Sequence, residues 1–338
     1  MAELRHSKPN IYDVARIAGV SHQTVSRVLN EHPNVRPETR TNVMAAMEQL
    51  GYVPNQAARA LVTSRTKLLG ILASDTTLYG PAGGVNAMEI EARRAGYVTL
   101  TRSINPNSEE EIRAGVQHLR QLGVEGVIVI TTHNRPAVIA REILTDIPVV
   151  AIDAEYNAGE LSVEVDNEDA AAVATQHLID LGHQGILHIS GPEASFVGSQ
   201  RVQGYIATMR RAKLRPEVVE GDWTIETGYR IGSAYDFDGH GITAVFTAND
   251  SLALGLYRAC RERDISIPAR LSVIGFDDIP EAAYFDPPLT TLRQEFGQIG
   301  HAAMHLLIRK LAGESDLQSE FVKLAFMQRA STAPPPVF

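Results

Sequence analysis

Two sets of residues in this chain have the types and spacing to do chemistry. His22, Gln23, Ser26 and Arg27 would share one face of a short helix. Glutamine and arginine each present paired hydrogen-bonding groups that match the major-groove edges of adenine and guanine. The second set is scattered: Ser74-Asp75, Asp153, Asn249-Asp250 and Asp277-Asp278, with Trp223, the single tryptophan. Planar acceptors, amides and one aromatic face suit a neutral polyhydroxylated ligand whose apolar ring face stacks on the indole. Each of these residues taken alone would serve equally as a helix cap or a loop carboxylate. Their common position after expected strands is what makes them a site.

Hydrolytic chemistry fits poorly. Asp277 and Asp278 are adjacent, and on an extended segment adjacent side chains point to opposite faces, so they would not flank one bond as acid and base. No Gly-x-Ser-x-Gly elbow, phosphate loop or metal-ligand spacing occurs. Gly80-Pro81-Ala82-Gly83-Gly84 lacks the Lys-Ser/Thr of a phosphate loop and reads as a loop before a helix. Cys260 is the only cysteine, which removes internal disulfides and multi-cysteine metal sites; among Leu256, Tyr257 and Ala259 it reads as core packing. The expectation is a binding protein with no enzymatic activity, no cofactor and no metal.

The elements that would position the first set are helical. Ile11, Val14, Ala15 and Ala18 follow the i, i+3, i+4, i+7 pattern, and Gly19 can end that helix in the left-handed conformation. Ser21 can cap a second helix running to about Asn30, with Val25, Val28 and Leu29 turned inward. Two short helices joined by a glycine turn predict a helix-turn-helix, whose second helix offers its N-terminal residues to base edges. On spacing alone a small helical bundle with a solvated polar face fits as well. A third helix is expected over Pro37 to Leu50, with Val43, Met47 and Leu50 facing inward. Asn55 can cap a further alanine-rich helix of two turns, too short to be stable alone.

From Leu68 the pattern changes to alternation. Strands are expected at Leu68–Ala73, Tyr97–Arg102, Gly126–Thr131 and Pro148–Ile152, then at Ile186–Ser190, Val218–Gly221, Ala244–Thr247 and Ser272–Gly275. Helical patterns intervene, among them Glu110–Leu122, Asp169–Leu181, Gln203–Ala212 and Leu252–Arg263. The expected fold class is α/β: an N-terminal helix-turn-helix headpiece plus two doubly wound parallel-sheet subdomains. Ligands of such sheets bind beyond the strands' carboxyl ends, here the cleft between the subdomains.

Charge divides the same way. Residues 1–65 carry eight Lys and Arg against five Asp and Glu, a surplus of three, so the −9 total leaves −12 on the rest of the 338-residue chain. A small basic head on an acidic body permits a localised nucleic-acid contact and excludes a protein coated in nucleic acid. The longest apolar runs, such as Gly126 to Ile130, suit buried strands rather than a membrane span, and Met1 to Asn10 is polar. A cytoplasmic protein is expected. An exported solute-binding protein would share the body's architecture, but would carry a signal peptide and no helical head.

The residues also resemble a known family. Tyr12-Asp13-Val14-Ala15-Arg16-Ile17-Ala18-Gly19-Val20-Ser21, then Thr24-Val25-Ser26-Arg27-Val28-Leu29-Asn30 and Gly51-Tyr52-Val53-Pro54-Asn55, are similar to the headpiece and hinge of the lac repressor (LacI/GalR) family. Gly182-His183, Gly191-Pro192, Thr247-Ala248-Asn249-Asp250-Ser251, Gly275-Phe276-Asp277-Asp278 and Pro287-Pro288-Leu289-Thr290-Thr291 extend the resemblance, which covers about residues 10 to 332. Gly221-Asp222-Trp223 and Gln294-Glu295-Phe296 carry it into the cleft. It implies a body of periplasmic-binding-protein type and DNA contacts from His22, Gln23, Ser26, Arg27 and Asn30. The hinge would add Asn55, Ala58 and Leu61, with Leu61 wedged into a minor-groove step. Effector contacts are implied for Ser74, Asp153, Arg201, Trp223, Asn249, Asp277, Gln294 and Phe296. Two positions depart from the family's cleft: Arg93 replaces an acidic residue and Val165 an aromatic one.

The expected domains are a headpiece (1–54), a hinge helix and linker (55–66), an effector-binding core (67–332) and a tail (333–338). Within the core, the N-subdomain would hold about 67–165 and 296–322, and the C-subdomain about 166–295 and 323–332. Thr332-Ala-Pro-Pro-Pro-Val-Phe338 cannot sustain a heptad of the kind the family's tetramerisation helix uses, so a homodimer is expected. The function implied is a sequence-specific transcriptional repressor, released from a pseudo-palindromic operator by a mono- or disaccharide. A purine-type or other small-molecule corepressor on the same architecture is the alternative.

Overall fold

The computed structural model describes residues 9–29, 32–53, 65–74, 76–154 and 160–336. Asn30, Asn55, Ala58, Leu61 and Asp75 lie outside the described residues. The chain divides into two compact units, Met1–Thr66 and Lys67–Phe338.

In the first unit, α1 (Ile11–Ala18), α2 (His22–Leu29) and α3 (Pro37–Leu50) stand where the sequence pattern places them. Four of the six boundaries have a local cause. Asn10 accepts from the Tyr12 and Asp13 amides while the Asp13 carboxylate accepts from the Asn10 amide, a reciprocal cap that satisfies the first-turn donors of α1. Gly19 and Gly51 end α1 and α3 at φ 67° and 60°. The Ser21 hydroxyl accepts from the Thr24 amide at 3.1 Å and starts α2. Val14, Ala15, Val25, Val28, Val43 and Ala46 form the buried core, with Met47 and Leu50 packed beside it. Arg40 donates to the carbonyls of Val28 and His32, holding α3 against the end of α2.

In the second unit, six parallel strands form one sheet and four another. The first sheet contains β1 (Leu68–Ala73), β2 (Val98–Ser103), β3 (Gly126–Ile130), β4 (Val149–Ile152), β5 (Leu161–Val165) and β11 (Glu320–Val322), in the order β11-β5-β4-β3-β1-β2. The second contains β6 (Ile186–Ser190), β7 (Glu217–Glu220), β8 (Ala244–Thr247) and β9 (Ser272–Ile274), ordered β7-β6-β8-β9. A short antiparallel pair, β10 (Thr291–Arg293) with β12 (Ala325–Met327), completes the strands. Parallel sheets need cover on both faces. On the first, α4 (Tyr79–Arg94) and α11 (Phe296–Leu311) cover one face through Met88, Ala92, Ile299 and Leu307; α5 (Glu109–Gln121) and α6 (Arg135–Ile143) cover the other through Ile112, Val116 and Ala140. On the second, α7 (Asn167–Asp180) and α8 (Phe196–Arg211) lie opposite α9 (Ile225–Ala234) and α10 (Asp250–Glu262).

The chain crosses between the sheets three times: after β5, after β10 into α11, and after β11. β5, β10, β11 and β12 were not expected: β5 is interrupted by Ser162 and Glu164, and β10, β11 and β12 are three residues each whose partners lie far along the chain. Gly80–Gly84 is not a loop but the first turns of α4. Glycine serves there because the helix lies close to its neighbours: a Cβ on Gly84 would come within 2.4 Å of the Ile130 side chain. Cys260 is fully buried in the core of the second sheet. No helix among the described residues is long and apolar enough to cross a membrane.

The tightest helix pair of the first sheet is α4 with α11. A Cβ on Gly300 would sit 2.5 Å from the Ala87 Cβ and 2.9 Å from the Met88 amide nitrogen, so backbone would have to move. Gly300→Val is therefore expected to destabilise the body by about 1–3 kcal/mol, read by denaturant titration.

Candidate functional site

The exposed polar face of α2 follows from its packing. Val25 and Val28 are buried, which turns His22, Gln23 and Arg27 out to solvent and leaves Ser26 half-buried. Tyr12, 65% exposed at the start of α1, places its ring 5.1 Å from that of His22. Tyr12 widens the exposed polar and aromatic face, a contribution invisible to a reading of α2 alone.

In the body a cleft opens between the carboxyl ends of the two sheets. Thr131 and Thr132 follow β3, and Asp153 follows β4; across from them, Trp223 follows β7, Asn249 follows β8 and Asp277 follows β9. Arg201 enters from α8, and Gln294 and Phe296 from the crossing into α11. Of the eight expected effector residues, seven line this one cleft. Ser74 does not; it is fully buried and donates its hydroxyl to Thr131 Oγ1 at 3.0 Å, one layer behind the wall. Arg93 and Val165 are not cleft positions either. Arg93 lies at the far end of α4, 72% exposed and facing Glu89, and Val165 is buried in the first sheet's core. Neither departure bears on the ligand.

Residues that the sequence reading missed are Leu78, Tyr79, Gly80, Pro81, Ile130, Thr131, Thr132, Ile152, Val197, Ser251 and Ile299. The strand-end rule could have found Thr131-Thr132, which directly follow β3. Tyr79 and the apolar wall carry no comparable signal.

The electrostatic centre is Arg201, only 4% exposed. Its Nε donates to Asn167 Oδ1 at 2.9 Å, Nη1 donates to the Ala248 carbonyl, and the guanidinium lies 3.5 Å above the Phe276 ring centroid. Asp277 Oδ1 stands 4.0 Å from Nη1 and accepts from Gln294 Nε2 at 2.7 Å. Burial lifts the Asp277 carboxyl to about 6, against the opposing pull of Arg201 and the Gln294 hydrogen bond. Burial also lifts Asp153 to about 6, although its Oδ1 accepts from the Val165 amide at 2.8 Å and Arg201 draws it down. These two acids and one guanidinium form a desolvated polar floor.

The aromatic walls are fixed as firmly. Trp223 has φ 71°, and its indole covers Gly191, where a Cβ would lie 2.2 Å from the ring. Asn249 donates from Nδ2 to the Trp223 carbonyl at 3.0 Å and accepts from the Leu252 amide at 2.9 Å, so it both caps α10 and holds the tryptophan turn. Phe296 meets Tyr79 edge-on, ring centroids 5.5 Å apart. Asp153, Trp223 and Asp277 are three of seven described non-glycine residues with positive φ. Such backbone costs on the order of 1–3 kcal/mol per residue and persists where surrounding structure enforces it. Asp278 also has positive φ, so the Asp277-Asp278 pair is a turn, not the extended segment assumed above. The two carboxylates still diverge: Asp278 pairs with Arg293 and Arg329, Asp277 faces the cleft.

The raised carboxyls set a pH dependence. An acid at about 6 in the folded chain and 3.8 by its ordinary value takes up a proton on folding between those pH values, so its stabilising contribution is full below the window and lost as pH rises through it. Asp277→Asn removes its share of this dependence and leaves that of Asp153. The variant is expected to exceed the parent in stability at pH 7.5 by on the order of 1–3 kcal/mol, with the difference shrinking towards pH 4, as measured by paired denaturation curves.

Comparison with known proteins places both units. Bacterial regulatory proteins of the lacI family match residues 10–55, and the periplasmic binding protein-like domain matches residues 175–332. The lactose operon repressor of Escherichia coli K12 is 31% identical over 327 residues, 96% of this chain and 91% of that one. The HTH-type transcriptional repressor PurR of Escherichia fergusonii is 33% identical over 333 residues, 96% and 97% of the two chains. The lac repressor dimer bound to operator and the anti-inducer ONPF superposes with a TM-score of 0.89 at 30% identity, covering 97% of this chain and all of that one. A complex of the transcriptional regulator CelR with cellobiose gives 0.70 at 27%, covering 96% and 99%. With its head, its two parallel sheets and nearly its whole length matched, the chain belongs to the lacI family of bacterial regulatory proteins.

Proposed function

We propose that the protein represses carbohydrate-utilisation genes as a homodimer on a pseudo-palindromic operator, and that a mono- or disaccharide bound in the cleft releases it. The observation carrying this reading is the pairing, in one cleft, of aromatic faces from Trp223 and Phe296 with the buried polar floor of Asp153, Asp277 and Arg201. Sugar rings offer both an apolar face for stacking and hydroxyls that donate to carboxylates and accept from a guanidinium. A ligand shifts DNA binding only through unequal affinity for two conformations of the body. A cleft whose walls belong to different sheets gives that inequality a structural basis, because closing on a ligand changes the angle between them.

A panel of mono- and disaccharides, with purines as the contrasting arm, tests the ligand class by thermal shift. A true effector at 100 times its dissociation constant adds about 2.7 kcal/mol of stability, and a response to purines alone overturns the sugar reading. Arg27→Ala is expected to weaken operator binding by roughly 1–3 kcal/mol per half-site and to relax its sequence preference, measured by competition titration. Asp277→Asn exchanges an acceptor for a donor at a buried position, so the variant should hold its operator and stay bound when the sugar is added. Release at the parent's sugar concentration removes Asp277 from the effector site.

A further inference from the structure

Asp277 is held in a conformation that its own backbone disfavours. It and Asp278 are consecutive non-glycine residues with φ 107° and 54°, so something outside the turn must enforce its shape. The residue best placed to do so is Asp250, the first residue of α10, which is fully buried and does not line the cleft. Its amide donates to the Phe276 carbonyl at 2.8 Å, just before the turn. Its Oδ2 accepts from the Ile279 amide at 2.9 Å, just after it. Its Oδ1 accepts from the Thr291 hydroxyl at 2.7 Å, on the strand that leads to Gln294. Gly275 leaves room for this carboxylate, because a Cβ there would lie 2.1 Å from Oδ1.

We propose that Asp250 is a positioning residue of the effector site, clamping both limbs of the 276–279 turn so that the Asp277 carboxylate meets the ligand. This rests on the reading of the cleft as the effector site, and deepens it: one buried side chain ties the turn bearing Asp277 to β10, which leads to Gln294, the side chain that donates to Asp277. Its neighbour Asn249 holds the Trp223 turn in the same way. The start of α10 therefore fixes a polar and an aromatic ligand contact together.

Amide hydrogen exchange on the full chain tests the clamp without any ligand. In Asp250→Ala, exchange at Asp277 and Ile279 should accelerate about tenfold or more while amides in β6 and β8 keep their protection. Asp250→Asn should restore the parent pattern, since an amide can accept from Ile279 and donate to the Thr291 oxygen. If Asp250→Ala does not fold, Thr291→Val removes one arm of the clamp and should accelerate the same two amides by roughly threefold. Unchanged exchange at Asp277 and Ile279, equal acceleration in β6 and β8, or failure of asparagine to restore the pattern overturns the proposal. Lactose and cellobiose titrations followed by Trp223 fluorescence form the second readout, with affinity expected to fall about tenfold in Asp250→Ala and return in Asp250→Asn. If neither sugar perturbs Trp223 in the parent, the sugar reading is what fails, and the exchange comparison still decides the clamp.

Discussion

Burying one guanidinium organises the body of this protein. Arg201 has almost no contact with solvent, and an unpaired charge there would cost several kcal/mol. Its compensation comes from Asp153, Asp250 and Asp277, which stand at the ends of strands in both sheets or begin the helix that follows one. The two subdomains are thus coupled by charge across the cleft as well as by the peptide chain. The balance is uneven: three acids surround one cation, and burial pushes the acids up while it pushes Arg201 down. A ligand that donates hydroxyl hydrogen bonds to Asp153 and Asp277, the two of these acids that line the cleft, would ease that imbalance.

The head follows the opposite strategy. Its core is six small aliphatic side chains with no charge among them, and none of its described polar residues is fully buried. The desolvation that gives the cleft its specificity is absent until α2 meets a surface of complementary shape. Reciprocal caps at Asn10 and Asp13 and glycine stops at Gly19 and Gly51 make the helix boundaries local properties of the sequence. The body's turns depend on distant partners instead.

That difference explains what could be read in the sequence. All three head helices are visible there because caps, glycines and the 3.6-residue period act within a few residues. Eight body strands are also visible locally, several of them as apolar runs such as Gly126–Ile130 and Ala244–Thr247. The four short strands are not, since their pairing is decided by segments far away in the chain. Among the cleft residues, Asp153, Asn249 and Asp277 are legible from strand ends, whereas Arg201, Gln294 and Phe296 enter only through family resemblance. Ser74 shows the limit of the strand-end rule: the residue follows β1 and still points into the wall, because Thr131 on the neighbouring strand occupies the surface position.

The three crossings between the sheets bear on how the chain is made. The first sheet is completed by β11, and Ser162 on β5 is joined to Ser319 by two hydrogen bonds spanning 157 residues. A ribosome has therefore delivered the whole second sheet before the first can close. The described core of the head, from Val14 to Ala46, needs only its own few dozen residues. A nascent chain passes through a long interval with a finished helix-turn-helix and an unfinished body, exposing the central strands of the first sheet to premature partners. Slow codons or chaperone contacts would matter most in the stretch between β5 and α11, where five of the six strands wait for the last.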